Sequence, residues 1–126
     1  MTVRKYETGD HEALFEIMRQ ELDDWSDYFG PKGQAKYIRA LEESLTYVVC
    51  ENGLVCGYAR CRDDGGFGIY VYDLLVAKGS RGNNYGRLLF ERLRQDFPDD
   101  DIYVMSDVDP YYEKLGMVRE GSILKL

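Results

Sequence analysis

Hydrophobic and polar positions divide this chain into short strands and amphipathic helices. Thr2-Val3-Arg4-Lys5-Tyr6 alternates weakly and predicts a first strand. Asp10 is placed to cap a helix in which Leu14, Ile17, Met18, Leu22 and Trp25 recur at helical spacing. A second helix is expected over residues 34–44, with Tyr37, Ile38, Leu41 and Leu45 on one face, after the turn Gly30-Pro31-Lys32-Gly33. Three strands then follow in succession: residues 46–51, 54–62 and 67–76. Asn52-Gly53 joins the first two and Asp63-Asp64-Gly65-Gly66 the last two, both as hairpin turns. Tyr85, Leu89, Leu93 and Phe97 fall four apart and predict another amphipathic helix. Pro98-Asp99-Asp100-Asp101 ends it and opens a strand over residues 102–105. A strand, a helix and a strand in that order imply a parallel pair with a right-handed crossover. A short helix is expected over residues 110–115, capped by Asp107 or Asp109, with Pro110 in its first turn and Gly116 just past its end. Residues 117–119 and 122–126 read as strand material. The expected order is β-α-α-β-β-β-α-β-α-β(β), in one domain spanning residues 1–126.

The stretch from Tyr70 to Phe97 carries the most chemistry. An apolar strand ending in Leu74-Leu75-Val76 feeds a helix through a turn holding Gly79, Gly82, Gly86, Asn83, Asn84, Arg81 and Arg87. Such a turn points several free backbone N–H groups at one spot, where the helix macrodipole adds partial positive charge. It makes a seat for a phosphate or pyrophosphate, to which the arginines add full charge. The same glycines also serve a plain strand-to-helix turn. A P-loop is excluded because Gly86 is followed by Arg87-Leu88, and the spacing of Gly79 and Gly82 does not make a dinucleotide fingerprint.

Composition narrows the function classes. A net charge of −7 argues against a nucleic-acid binder and is compatible with a cationic partner. No apolar run reaches the ~18 residues of a membrane span, and the N-terminus lacks the apolar core of a signal peptide. Cys50, Cys56 and Cys61 make an odd count without a C-x-x-C pair, and His11 is the only histidine; we expect reduced cysteines, no metal site and a cytoplasmic location. Glu21, Asp23, Asp24 and Asp27 interleave with Trp25, Tyr28 and Phe29. This segment is either a solvated helix end tucking its aromatics onto the core or a rim suited to a cationic amine.

The element order and two motifs resemble the GNAT superfamily of acetyl-CoA-dependent N-acetyltransferases. The first motif is Leu74-Leu75-Val76 followed by Arg81-Gly82-Asn83-Asn84-Tyr85-Gly86-Arg87, with Asn84 in place of the family's usual middle glycine. The second is Tyr112-Glu113-Lys114-Leu115-Gly116-Met117, with Met117 in place of the usual Phe. The family's asparagine in the loop before Tyr112 is missing. The resemblance implies an α/β fold: a central mixed sheet of six to seven strands with a splayed parallel pair, flanked by about four helices. It further implies that acetyl-CoA is the co-substrate, with no metal, and that its pantetheine arm pairs with the backbone of Leu74, Leu75 and Val76. The N–H of Val76 would face the thioester carbonyl, and the pyrophosphate would rest on residues 82–87. Tyr112 would protonate the leaving thiolate. Asp73 would take the proton of the amine, with Glu51 and Asp107 as rivals. The expected activity is transfer of acetyl to a primary amine, on a small molecule or peptide, by direct attack in a ternary complex. The alternative is a non-catalytic acyl-CoA-binding sensor or interaction module. A homodimer, in which a partner completes the sheet edge or the substrate pocket, is compatible with this reading.

Overall fold

The computed structural model describes residues 1–21 and 25–126; Leu22, Asp23 and Asp24 of the first helix and the acidic segment lie outside them. Five strands form one sheet in the order β1-β2-β3-β4-β5: β1 (Thr2–Lys5), β2 (Leu45–Glu51), β3 (Leu54–Asp63), β4 (Ile69–Val76) and β5 (Ile102–Val104). Neighbours are antiparallel except β4 and β5, which run parallel. The β2–β3 hairpin turns at Asn52 and Gly53, whose φ angles of 53° and 80° suit the two-residue turn that the dipeptide predicts.

Helices cover both faces. α1 (His11–Arg19), α2 (Ser26–Phe29) and α3 (Gln34–Glu43) lie on one side; α4 (Tyr85–Asp96) lies on the other, and α5 (Asp109–Lys114) follows β5. β2 shows the division, because successive side chains point to opposite faces. Val48 and Cys50 join Leu14, Met18 and Leu41 under α1 and α3, whereas Tyr47 and Val49 join Leu89 and Leu93 under α4. Burying each of these aliphatic side chains contributes about 1.5–3 kcal/mol.

Three expectations change. Residues 117–126 form no strand, and Val118, Ile123 and Leu124 are exposed. The sheet of the described residues therefore has five strands, not six or seven, with five helices rather than about four. A β-prone run becomes a strand only when an edge and a covering layer receive it, and here this run has neither. Asp10 does not cap α1 with its side chain; its carboxylate instead holds the Arg4 guanidinium at 2.8 and 3.0 Å and the Glu7 N–H at 2.7 Å. Asp109 is the first residue of α5 rather than its cap, and accepts a hydrogen bond from Ser106 Oγ at 2.6 Å.

β4 is also less regular than its alternation suggests. Arg60 pairs with Asp73 and Cys61 with Val71, so Tyr72 is an extra residue, a β-bulge. The bulge shifts the phase of the strand. Ile69 and Val71 face α4 before it, as do Leu74 and Val76 after it. Asp73 and Leu75 face α1 and α3 instead.

Candidate active site

The parallel pair is short. β4 and β5 are matched only from Ile69 with Ile102 to Val71 with Val104, and the last rung is Met105 N–H to Val71 O at 2.9 Å. Beyond it, residues 73–76 of β4 pair with β3 alone among the described residues. The edge of β4 that this opens can be read from its hydrogen bonds. Ala77 N–H donates to Cys56 O at 2.8 Å, toward β3. Backbone groups alternate sides along a strand, so those of Val76 and Leu74 point to the open edge. The Val76 carbonyl does so visibly, accepting Arg81 Nε at 3.1 Å.

The open edge leads into the glycine- and asparagine-rich turn. A 3-10 turn at Lys78–Ser80 starts it, Asn83 Nδ2 donates to Ser80 O at 2.9 Å, and Gly82 has φ 88°. Asn84 stands directly before α4 at φ 62°, ψ 26°. That left-handed geometry is open to glycine at no steric cost and to asparagine better than to most residues, which is how Asn84 substitutes for a glycine. No side chain caps α4. Its first bond is Leu88 N–H to Asn84 O at 3.1 Å, so the N–H groups of Tyr85, Gly86 and Arg87 have no intrahelical partner. Arg81, Gly82, Asn83, Asn84 and Arg87 are exposed, while Tyr85 and Gly86 are buried. The Tyr85 hydroxyl donates to Glu51 at the end of β2, and the carboxylate pushes the Tyr85 pKa up to about 12. Glu51 is thus tied to the base of the turn.

The two tyrosines of α5 take different positions. Tyr112 is 9% exposed, with its ring set edge-on to Phe90 at 6.1 Å. Its hydroxyl makes no hydrogen bond among the described residues. Burial, chiefly, pushes its pKa up to about 12, with Tyr111 and Asp107 adding to the effect. Tyr111 is 39% exposed, and its hydroxyl fills the space where a Cβ on residue 86 would sit. A side chain at 86 would have to displace the Tyr111 ring from this position.

Asp73 lies on the opposite face of the sheet from α4, inside a polar network. Its Oδ2 accepts Tyr37 Oη at 2.6 Å and Arg60 Nε at 2.6 Å. The Tyr37 and Tyr58 hydroxyls are 2.6 Å apart. Arg60 lies between the rings of Tyr37 and Tyr72, 5.6 and 5.7 Å from their centroids. Burial and then the charge of Asp73 hold the Tyr37 pKa well above its ordinary value. Burial alone would lower the Arg60 pKa, but Asp73 outweighs it. An open depression of about 580 Å³ adjoins this network, lined by Arg60, Arg62, Asp63, Asp64, Tyr70 and Tyr72. The aromatic residues of the acidic segment pack behind this network. Tyr28 stacks on Tyr37 at 4.4 Å, and Trp25 packs against Tyr28 and Tyr58. They pack onto the core, as in the plainer of the two readings, and the protein's own Arg19 lies 5.6 Å from the Phe29 ring centroid.

The structure therefore brings Leu74, Val76, Arg81 and the turn 82–87 together at the end of β4, and sets Asp73 on the far face beside Arg60. Asp107 is exposed in the loop between β5 and α5, near enough for its charge to add to the burial that raises both Tyr112 and Tyr28. Sequence reasoning passed over Arg60, Tyr58 and Tyr72 as strand material. The available signal was an arginine inside the apolar stretch of one strand, ahead of the polar end Arg62-Asp63, and a lone aspartate in the next.

The comparisons agree with this geometry. No curated protein matches the chain. Among solved structures, the fold is similar to an aminoglycoside acetyltransferase from an uncultured soil metagenomic sample, at 24% identity and a TM-score of 0.75 over 100% of this chain and 98% of that one. It is similar to a transcriptional regulator from Bacillus halodurans C-125, at 17% identity and 0.81 over 99% and 97%. It is also similar to an aminoglycoside 6'-N-acetyltransferase complexed with coenzyme A, at 15% identity and 0.72 over 92% and 84%. The sequence model of the Acetyltransferase (GNAT) family matches residues 11–117. With the parted parallel strands and the left-handed turn ahead of α4, the chain belongs to the GNAT family of acetyltransferases.

Proposed function

We propose that the protein transfers acetyl from acetyl-CoA to a primary amine, by direct attack in a ternary complex. The observation that carries this is the open edge of β4, with Leu74 and Val76 presenting backbone groups beside the uncapped N-terminus of α4. A pantetheine arm has amides that can pair with that edge as an added strand does, and a pyrophosphate suits the N–H groups of residues 85–87 together with Arg87. When bound, acetyl-CoA supplies an activated thioester. The N–H groups of Leu74 and Val76 are the donors available to the oxygen on which negative charge develops.

Tyr112 is the proposed acid. A hydroxyl with a pKa near 12 keeps its proton at neutral pH and can give it to a departing thiolate. We assign the base to Asp107 in preference to Asp73. Asp107 is exposed in the loop between β5 and α5, within electrostatic reach of Tyr112 and Tyr28, whereas the Asp73 oxygen is already engaged by a guanidinium and a tyrosine hydroxyl. Asp73 then acts as a positioning residue: it fixes Tyr37 behind Arg60 and holds Arg60 in the wall of the open depression, where we place the acceptor. Direct attack is supported by the cysteines: all three are buried, and burial pushes the Cys61 thiol up to about 12 and raises Cys56 as well, making both poor nucleophiles. Free cysteines also suit a reducing compartment, and we propose a cytoplasmic location. The described residues include no helix long and apolar enough to cross a membrane.

The test is calorimetric titration with acetyl-CoA, followed by thiol release with amines of graded charge and size. Saturable binding and amine-dependent release of CoA are expected. Binding without release for any amine would reduce the protein to a CoA-binding module.

A further inference from the structure

We propose that Glu21 is a positioning residue for the cofactor edge: it holds Arg81 across the Val76 carbonyl, and a phosphate-bearing ligand must draw Arg81 away. This rests on the assignment of the β4 edge and the 81–87 turn to acetyl-CoA. Among the described residues Arg81 makes two polar contacts, and they belong to different layers of the fold. Its terminal nitrogen lies 3.0 Å from Glu21 Oε2, just past the end of α1, and its Nε donates to Val76 O at 3.1 Å. The Val76 carbonyl is an acceptor that an added strand would use on this edge, so Arg81 and the cofactor compete for it.

The hold is built to yield. The Glu21 side chain is 14% exposed and that of Arg81 47%. Glu21 Oε2 is buried yet meets no donor in hydrogen-bonding geometry, so charge rather than a directed bond ties it to Arg81. Half-exposed pairs of this kind are weak. A pyrophosphate offers the guanidinium more charge and a bidentate fit. On binding, Arg81 exchanges Glu21 and the Val76 carbonyl for phosphate oxygens, and the edge opens as the pyrophosphate seats. The contact to Glu21 is lost in that exchange, so it opposes binding.

The experiment measures acetyl-CoA affinity by calorimetry for the wild type, Glu21→Gln, Arg81→Ala and the double variant, with a melt of each to confirm folding. Glu21→Gln is expected to tighten binding about threefold, the scale of a half-exposed ion pair. In the Arg81→Ala background the same substitution is expected to change nothing. Glu21→Asp keeps the charge and shortens the reach, and should fall between; it also stands in if Glu21→Gln does not fold. Unchanged or weaker binding by Glu21→Gln overturns the proposal, as does an equal change with and without Arg81, which would make Glu21 a packing residue. If none of the four proteins binds acetyl-CoA, the cofactor assignment itself falls, and this inference with it.

Discussion

The two faces of the sheet solve the burial problem differently. Under α4 the core is mainly aliphatic: Val49, Ile69, Val71, Leu89 and Leu93 are all fully buried. Under α1 and α3 the aliphatic cluster of Leu14, Met18 and Leu41 gives way to Tyr37, Tyr58, Asp73 and Arg60, joined by hydrogen bonds of 2.6 Å. Aliphatic packing is non-directional and accepts exchanges of similar volume. A buried polar network is not so tolerant, because each donor or charge left without its partner bears the full cost of desolvation. Stability alone is served more simply by the first solution. The second fixes side chains at defined positions, as the proposed acceptor surface would require.

The largest expected effect lies on the α4 side, where the two tyrosines of α5 pack against Phe90 and Gly86 and differ in proposed role. Tyr112→Phe is expected to lower kcat by about 10²–10⁴, the usual contribution of a general acid. Neither acetyl-CoA affinity nor the melting temperature should change, since the hydroxyl has no partner among the described residues. Tyr111→Phe should leave kcat within about tenfold of wild type, as it removes no proton donor in this scheme. If Tyr112→Phe lowers affinity and turnover together, Tyr112 is a packing residue. The pH profile is an independent check. Burial holds the Tyr112 pKa at about 12, so this acid stays protonated as pH rises and the rate should climb as the amine loses its proton. A descending limb below about pH 10 would contradict this assignment.

The next effect compares one residue from each face. Asp73→Asn leaves the Arg60 guanidinium, 16% exposed, without its counter-charge, at an expected cost of about 3 kcal/mol. Leu89→Ala, at a fully buried site, should cost about as much, 2–5 kcal/mol, through lost burial and a cavity. Denaturant melts should therefore rank the two together, while kinetics separate them. Asp73→Asn is expected to raise the KM of the acceptor and Leu89→Ala to leave it near the wild-type value. Equal KM values would remove the distinction drawn between the faces.

The smallest effect concerns the turn before α4. Asn84→Ala is expected to cost about 1 kcal/mol, because alanine resists the left-handed region, and to weaken acetyl-CoA binding as the N–H groups of α4 lose their aim. Asn84→Gly adopts the same φ without strain and should retain both stability and affinity. A melt and a titration of each variant check this.

Much of the fold was legible because local chemistry repeats along the chain. Asn52-Gly53 specified its turn, the four-residue spacing of Tyr85, Leu89 and Leu93 specified α4, and the two motifs specified the family. Asn84 was legible as an adapted glycine position and adopts φ 62°. The tail was misread because alternation in residues 117–126 records strand propensity but not whether an edge is there to receive it. Asp10 and Asp109 were misread because a short acidic side chain near a helix start has competing partners, and Arg4 and Ser106 took precedence over the helix N–H groups.

The sequence by itself determined the order of elements from β1 to α5 apart from the short α2, the turn ahead of α4, and the identity of the residues on which the chemistry is proposed to rest. Those features depend on backbone preferences and periodicities carried within a few residues. Tertiary structure decided where Asp73 points. In unbroken alternation it would share the aliphatic face of Ile69 and Val71, and only the bulge at Tyr72, matched to Arg60 on β3, turns it to the other side. Tertiary structure also decided that β5 stops short of the end of β4, leaving Leu74 and Val76 an open edge with Arg81 lying across it. Pairing, register and the choice among competing ionic partners are properties of segments distant in the chain, and no local pattern encodes them.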